Sequence, residues 1–142
     1  AIRELAYRGN PVPYLEYISK NIFSRLSNRD LIRFDEKYIK IMLLNGLFQS
    51  NLYEPVTERE VEQGYLDLYL QRNPRLPDVK YEWVWEVKYL KKEDSGTLEA
   101  KRIAAAAQLE KYRQSSLFSS RTDVKYAALI FIGKDRYEVC EY

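Results

Sequence analysis

Asp67 and the Glu86-Val87-Lys88 tripeptide have the residue types and spacing for acid-and-metal chemistry. Successive side chains of an extended strand alternate faces, so Glu86 and Lys88 would project together, a carboxylate beside an ammonium. A second carboxylate beside them could complete a site for Mg²⁺, an ion that keeps several waters and pairs with substrate phosphate. Such an ion polarises a phosphoryl oxygen and lowers the pKa of a bound water. Lys88 could orient that water or stabilise the charge developing on phosphorus. A Glu-x-Lys step by itself also suits any solvated strand face, so everything depends on whether Asp67 meets it.

The elements that must bring them together are legible. Residues 80–90, rich in aromatics and valine, predict a long strand. Glu82, Val84, Glu86, Lys88 and Leu90 share one face, and Tyr81, Trp83, Trp85, Val87 and Tyr89 share the other. Residues 65–70 predict the preceding strand, and 73–78 carry turn chemistry. The middle of that turn, near Leu76 and Pro77, is also the midpoint between Asp67 and Glu86. An antiparallel hairpin therefore sets Asp67 across from Glu86, with Leu66 and Leu68 expected to point the other way. Asp78 is a poor alternative acid, since pairing it with Glu86 would need a turn inside the strongest strand. Trp83 and Trp85, facing away from Glu86, are expected to pack beneath a helix rather than stack on bases.

The rest of the chain supplies the frame. Residues 11–28 carry Leu15, Ile18, Ile22, Phe23 and Leu26 at helical spacing. A second helix is expected over 30–48, capped by Asp30, with Leu31, Phe34, Tyr38, Ile41, Met42 and Leu44 on its apolar side and a weak end at Asn45-Gly46. Residues 53–60 read as an edge strand that tolerates Pro55. A charged turn over 91–97 leads to a helix over 98–114, and strands follow over 124–132 and 136–142. The order helix, helix, three strands, helix, two strands predicts an α/β fold with a mixed sheet flanked by helices.

Composition narrows the chemistry further. The 142 residues suffice for one domain with a proper core, and 46% hydrophobic with 31% charged is an ordinary globular mixture. No histidine is present, which excludes Ser-His-Asp and Cys-His nucleophiles, histidine-based zinc hydrolases and His-Asn-His nucleases. The single Cys140 excludes an internal disulfide, fits a reducing, cytoplasmic compartment, and reads as a small buried residue on the last strand. Net charge is only +2, so a nucleic-acid partner would need localised positive charge. Lys91-Lys92, Lys101-Arg102 and Lys111 are the candidates for phosphate contact. No apolar run approaches the ~20 residues that span a bilayer.

Asp67…Glu86-Val87-Lys88 resembles the D…(D/E)-X-K signature of the PD-(D/E)XK, or restriction-endonuclease-like, superfamily. Gly64-Tyr65-Leu66-Asp67-Leu68 is similar to the G-R-x-D-L segment of many members, and Gln108-Leu-Glu-Lys-Tyr112 to the Q-x-x-x-Y motif of the RecB-like branch. Two departures stand out: Tyr65 replaces the usual arginine, and no proline precedes Asp67. The resemblance implies a Mg²⁺- or Mn²⁺-dependent nuclease acting on DNA. It implies a metal held by Asp67, Glu86 and the Val87 carbonyl, with Glu60 or, ranked after it, Glu36 as a further acid. Lys88 would act on the attacking water with Gln108 in support, and Tyr112 would touch the substrate backbone.

More narrowly, the chain resembles the nuclease-type domain that follows an AAA-ATPase-like domain in many bacterial proteins. On that resemblance residues 29–142 are the nuclease-like domain and 1–28 a helical connection from the ATPase-like region. The start at Ala1 is expected to mark an excised piece of a longer protein, or else a processed N-terminus. Members of this group can lose activity and keep the fold, so a non-catalytic binding or assembly module stays open, as does self-association.

Overall fold

The alternation along β3 (Glu82–Leu90) sorts its side chains into two packing layers. Trp83, Trp85 and Val87 join Leu68, Leu70, Leu129 and Phe131 in one layer. Val84 joins Tyr69, Tyr126 and Ala128 in the other. A sheet that is apolar on both faces needs cover on both. In this computed structural model, which describes residues 1–27, 29, 35–62 and 64–142, helices supply it. On the first face lie α1 (Val12–Asn21) and α2 (Glu36–Gln49), burying Tyr14, Leu15, Ile18, Ile39, Leu43 and Leu47. On the second lies α3 (Leu98–Arg113), which buries Ala105, Leu109 and Tyr112 at i, i+4 and i+7. Among the described residues no helix is long and apolar enough to cross a membrane.

Five strands run in chain order across the sheet: β1 (Tyr53–Val61), β2 (Gly64–Arg72), β3, β4 (Val124–Ile132) and β5 (Arg136–Glu141). β1, β2 and β3 pair antiparallel, β3 and β4 are parallel with α3 as their crossover, and β5 returns antiparallel. This is the expected mixed sheet flanked by helices. Pro55 sits on edge strand β1, where its missing N–H costs no ladder bond. Half-buried Cys140 lies on β5 opposite Ala128.

Trp83 and Trp85 do pack beneath helices. The Trp85 ring lies 6.4 Å from that of Tyr14, and the Trp83 indole N–H donates to the Leu5 carbonyl at 3.1 Å. Each buries ~150 Å² or more, roughly 4 kcal/mol of transfer free energy. Leu5 belongs to a helical turn, Glu4–Arg8, that no periodicity announces. The Ala6 carbonyl beside it accepts the N–H groups of both Lys80 and Tyr81, so β3 begins at Glu82 rather than at 80. Leu5, Ala6, Tyr14, Leu15 and Ile18 are all buried in the first layer.

The helices differ from expectation in their details. The helix expected over 11–28 stops at Asn21, and a short turn at Phe23–Arg25 lets Phe23 meet Phe131 edge-on at 5.4 Å. The expected cap Asp30, with Leu31 and Phe34, lies outside the described residues. α2 is capped instead by Asp35, whose side chain accepts the Tyr38 N–H at 2.9 Å. Its buried stripe is Ile39, Leu43 and Leu47, while Tyr38 and Ile41 are exposed. Residues 38–48 are apolar on most sides, so spacing alone does not select the inner face. Gly46 is inside the helix rather than weakening its end. It makes room for the Tyr14 hydroxyl, which donates to the Leu43 carbonyl at 2.7 Å; a Cβ there would collide with it.

Candidate functional site

β2 and β3 carry the expected residues to one place. Their ladder pairs Leu70 with Trp83, Tyr69 with Val84 and Leu68 with Trp85. The next step of that register sets Asp67 against Glu86, the pairing the turn symmetry predicts. There side chains take over from the backbone. Asp67 Oδ2 accepts the Val87 N–H at 2.9 Å, and Glu36 Oε1 accepts the Tyr89 N–H at 3.3 Å. In an antiparallel pair a residue's N–H and C=O point to the same edge, so the Val87 carbonyl also faces Asp67. Lys88 Nζ lies 3.2 Å from Glu86 Oε1. Asp78 is a turn residue whose carboxylate accepts the Tyr7 hydroxyl at 3.4 Å.

Glu86 contrasts sharply with Glu82, four residues earlier on the same face. Both are buried, at 4% and 3% exposure. Glu82 is fully served: its oxygens accept the Tyr69 hydroxyl at 2.5 Å and the Arg72 N–H at 2.8 Å, with the Arg121 guanidinium at 2.7 Å. Glu86 Oε2 is buried with no hydrogen-bond partner among the described residues. Burial, then the Asp67 charge, push the Glu86 carboxyl up to about 8, against the opposing pull of Lys88. A bare carboxylate oxygen in such a place calls for a proton or a cation.

Two site residues were missed in the sequence. Lys40 of α2 reaches Glu58 Oε1 at 2.5 Å and Asp67 Oδ1 at 3.5 Å. Burial pulls the Lys40 ammonium down, but the Glu58 hydrogen bond and the Asp67 and Glu58 charges outweigh it and hold it above its ordinary range. Lys40 lies one helical turn after Glu36, which is the signal that could have found it. Glu58 could have been found from the β1–β2 hairpin, whose register sets it opposite Asp67. The ladder pairs Thr57 with Leu68 and Arg59 with Leu66 and skips the step between, where Glu58 adopts a left-handed φ of 56°. Past this irregularity Leu66, expected with Leu68 on the far layer, packs with Val84, Leu109 and Tyr112 instead.

Gln108 and Tyr112 stand beside the site, not in it. Gln108 Nε2 donates to the Tyr112 hydroxyl at 2.7 Å, which donates to the Tyr65 carbonyl at 2.5 Å. Tyr112 is 2% exposed, and its hydroxyl braces β2. Burial raises its hydroxyl to about 12, opposed by the Gln108 hydrogen bond and reinforced by the Glu86, Asp67 and Glu58 charges. The two supplementary acids lie apart. Glu36 lies on the same edge of β3 as Asp67. Exposed Glu60 is paired with Tyr65 and lines an open cleft with Glu62 and Ser116. Lys91 and Lys92 are exposed just beyond β3. Lys111 is exposed, whereas Arg102 is tied to Glu138 and Glu99.

Among the described residues no three acid, histidine or cysteine side chains converge as a metal cage. The donor set is two carboxylates and a carbonyl, all oxygen. That suits a hard divalent ion that retains water, and the bare Glu86 oxygen gives it a place. Residues 34–141 match the family described as the PD-(D/E)XK nuclease superfamily. No curated protein and no solved structure matches the chain.

Proposed function

Because the chain belongs to the PD-(D/E)XK nuclease superfamily, we propose that it hydrolyses DNA phosphodiesters with Mg²⁺ or Mn²⁺ held by Asp67, Glu86 and the Val87 carbonyl. The observation that carries this reading is the bare, buried Glu86 oxygen beside Asp67, on a strand whose other buried glutamate is fully paired. A divalent ion there supplies Lewis acidity toward a phosphoryl oxygen. Lys88, fixed by Glu86, orients the attacking water and faces the charge that develops on phosphorus. Gln108 acts at one remove, through Tyr112 and the Tyr65 carbonyl, by holding β2 in place. Lys91 and Lys92, just past the end of β3, form a cationic step for the nucleic-acid backbone.

The test is purified protein with Mg²⁺ or Mn²⁺ and mixed DNA substrates, beside Asp67→Ala and Lys88→Ala. We expect both variants to lose cleavage by at least about a hundredfold. Equal cleavage by all three proteins would identify a contaminant and remove the support for catalysis.

One observation favours a second reading, a nuclease fold that binds or assembles without turnover. Both Asp67 oxygens are already engaged, one by the Val87 N–H and one by Lys40. Calorimetric titration separates the two, since a non-catalytic module of this kind takes up no Mg²⁺ or Mn²⁺. The narrower resemblance also makes residues 1–28 the connection from an ATPase-like region in a bacterial protein. A parent reading frame with no ATPase motif upstream of Ala1 would sink that part alone.

A further inference from the structure

Glu58, Asp67 and Glu86 form a row across three neighbouring strands, fixed by the β1–β2 and β2–β3 registers. Like charges on directly opposed positions repel. Two ammonium groups answer them from different elements. Lys88 serves Glu86 from within β3, and Lys40 enters from α2, its side chain only 14% exposed, to span Glu58 and Asp67. Lys40 approaches Asp67 at Oδ1, the oxygen that the Val87 N–H leaves free. Held only by that 3.5 Å contact, Oδ1 is the oxygen more open to an incoming cation.

We propose that Lys40 is a built-in counter-cation of the metal site, one that weakens its hold on divalent ions, with Glu58 as the acid that draws Lys40 aside. The inference rests on reading Asp67 and Glu86 as metal ligands. An ammonium and a divalent cation cannot share one oxygen at short range without strong repulsion, because screening by water is poor at a part-buried group. Loading the site therefore requires Lys40 to give up Asp67. Glu58, already its shorter contact, is in place to keep it. The left-handed backbone at Glu58, a conformation that non-glycine residues rarely adopt, fits a side chain held at a special angle. The affinity of the site thus becomes a contest between α2 and the ion for one carboxylate.

The experiment is Mn²⁺ titration by calorimetry and by the loss of the free-ion electron paramagnetic signal. It compares the wild type with Lys40→Met, Lys40→Arg and Glu58→Gln, each first shown to be folded by circular dichroism. Lys40→Met keeps the aliphatic stem without the charge and should bind Mn²⁺ on the order of tenfold tighter. Lys40→Arg should stay close to wild type, and Glu58→Gln, which returns Lys40 wholly to Asp67, should bind severalfold more weakly. Binding by Lys40→Met and not by wild type would be the strongest form of support. Unchanged or weaker binding by Lys40→Met, with wild type binding normally, overturns the inference and leaves the metal site standing. Binding by none of the four proteins overturns the metal site and this inference with it. Should Lys40→Met not fold, Glu58→Gln decides, and equal or tighter binding by that variant refutes the proposal.

Discussion

Replacing Glu86 by glutamine tests the bare oxygen without any substrate. The Glu86 carboxyl, ordinarily near 4.5, is held up to about 8 in the fold, chiefly by burial and then by Asp67. Between those two values the folded chain retains a proton that the unfolded chain has lost. Its stability therefore falls as pH rises through the window, and the loss is complete above about 8. The slope is at most about 1.4 kcal/mol per pH unit, and glutamine has no such proton to lose. From about pH 5.5 to about pH 7.5 the stability of Glu86→Gln should gain on wild type by about 2–3 kcal/mol in chelator. Titrating groups remote from Glu86 cancel in the difference. Urea denaturation of both proteins across that range, followed by tryptophan fluorescence, reads it directly. Adding Mn²⁺ should shrink the wild-type slope, because the cation takes the place of the proton, and leave the variant unmoved. Two curves that stay parallel in chelator would refute the reasoning, since Glu86 would then hold no proton in the fold.

Two further substitutions test the frame. Glu82→Ala should destabilise by about 2–4 kcal/mol, because the Tyr69 hydroxyl and the Arg72 N–H lose their acceptor while the Arg72 and Arg121 guanidinium groups keep Asp123 alone, and chemical denaturation would show it. Gly46→Ala should cost about 1–3 kcal/mol despite the better helix propensity of alanine, since its Cβ meets the Tyr14 hydroxyl; a raised thermal midpoint would contradict this.

The central pairing was legible because a hairpin is a symmetric object: a recognisable turn at 73–78 fixes which residues face each other. The same arithmetic, applied to the turn before Gly64, would have delivered Glu58. Lys40 was harder. A helix announces a buried stripe, and α2 is apolar on several sides, so neither its phase nor its capping residue could be read from spacing. Tyr112 marks another boundary of what a sequence holds. A motif position says which residues keep company, but not whether a hydroxyl points to solvent or to a carbonyl. The Glu4–Arg8 turn had no periodicity to show; its packing under Trp83 and its Ala6 carbonyl at the head of β3 give it a purpose.

The ties around Asp67 have a further consequence, best put in terms of surveying. Its carboxylate is sighted from β3 by the Val87 N–H and from α2 by Lys40, and the strand that bears it is sighted from α3 by Tyr112 through the Tyr65 carbonyl. A point fixed from three stations does not drift when one line is slightly wrong. Only the Lys40 line is made by a long, flexible side chain; the other two end on backbone. The turns at the margins of the sheet set the register but are not among these stations, so their composition can change, at constant length, while the Asp67–Glu86 baseline keeps its measure.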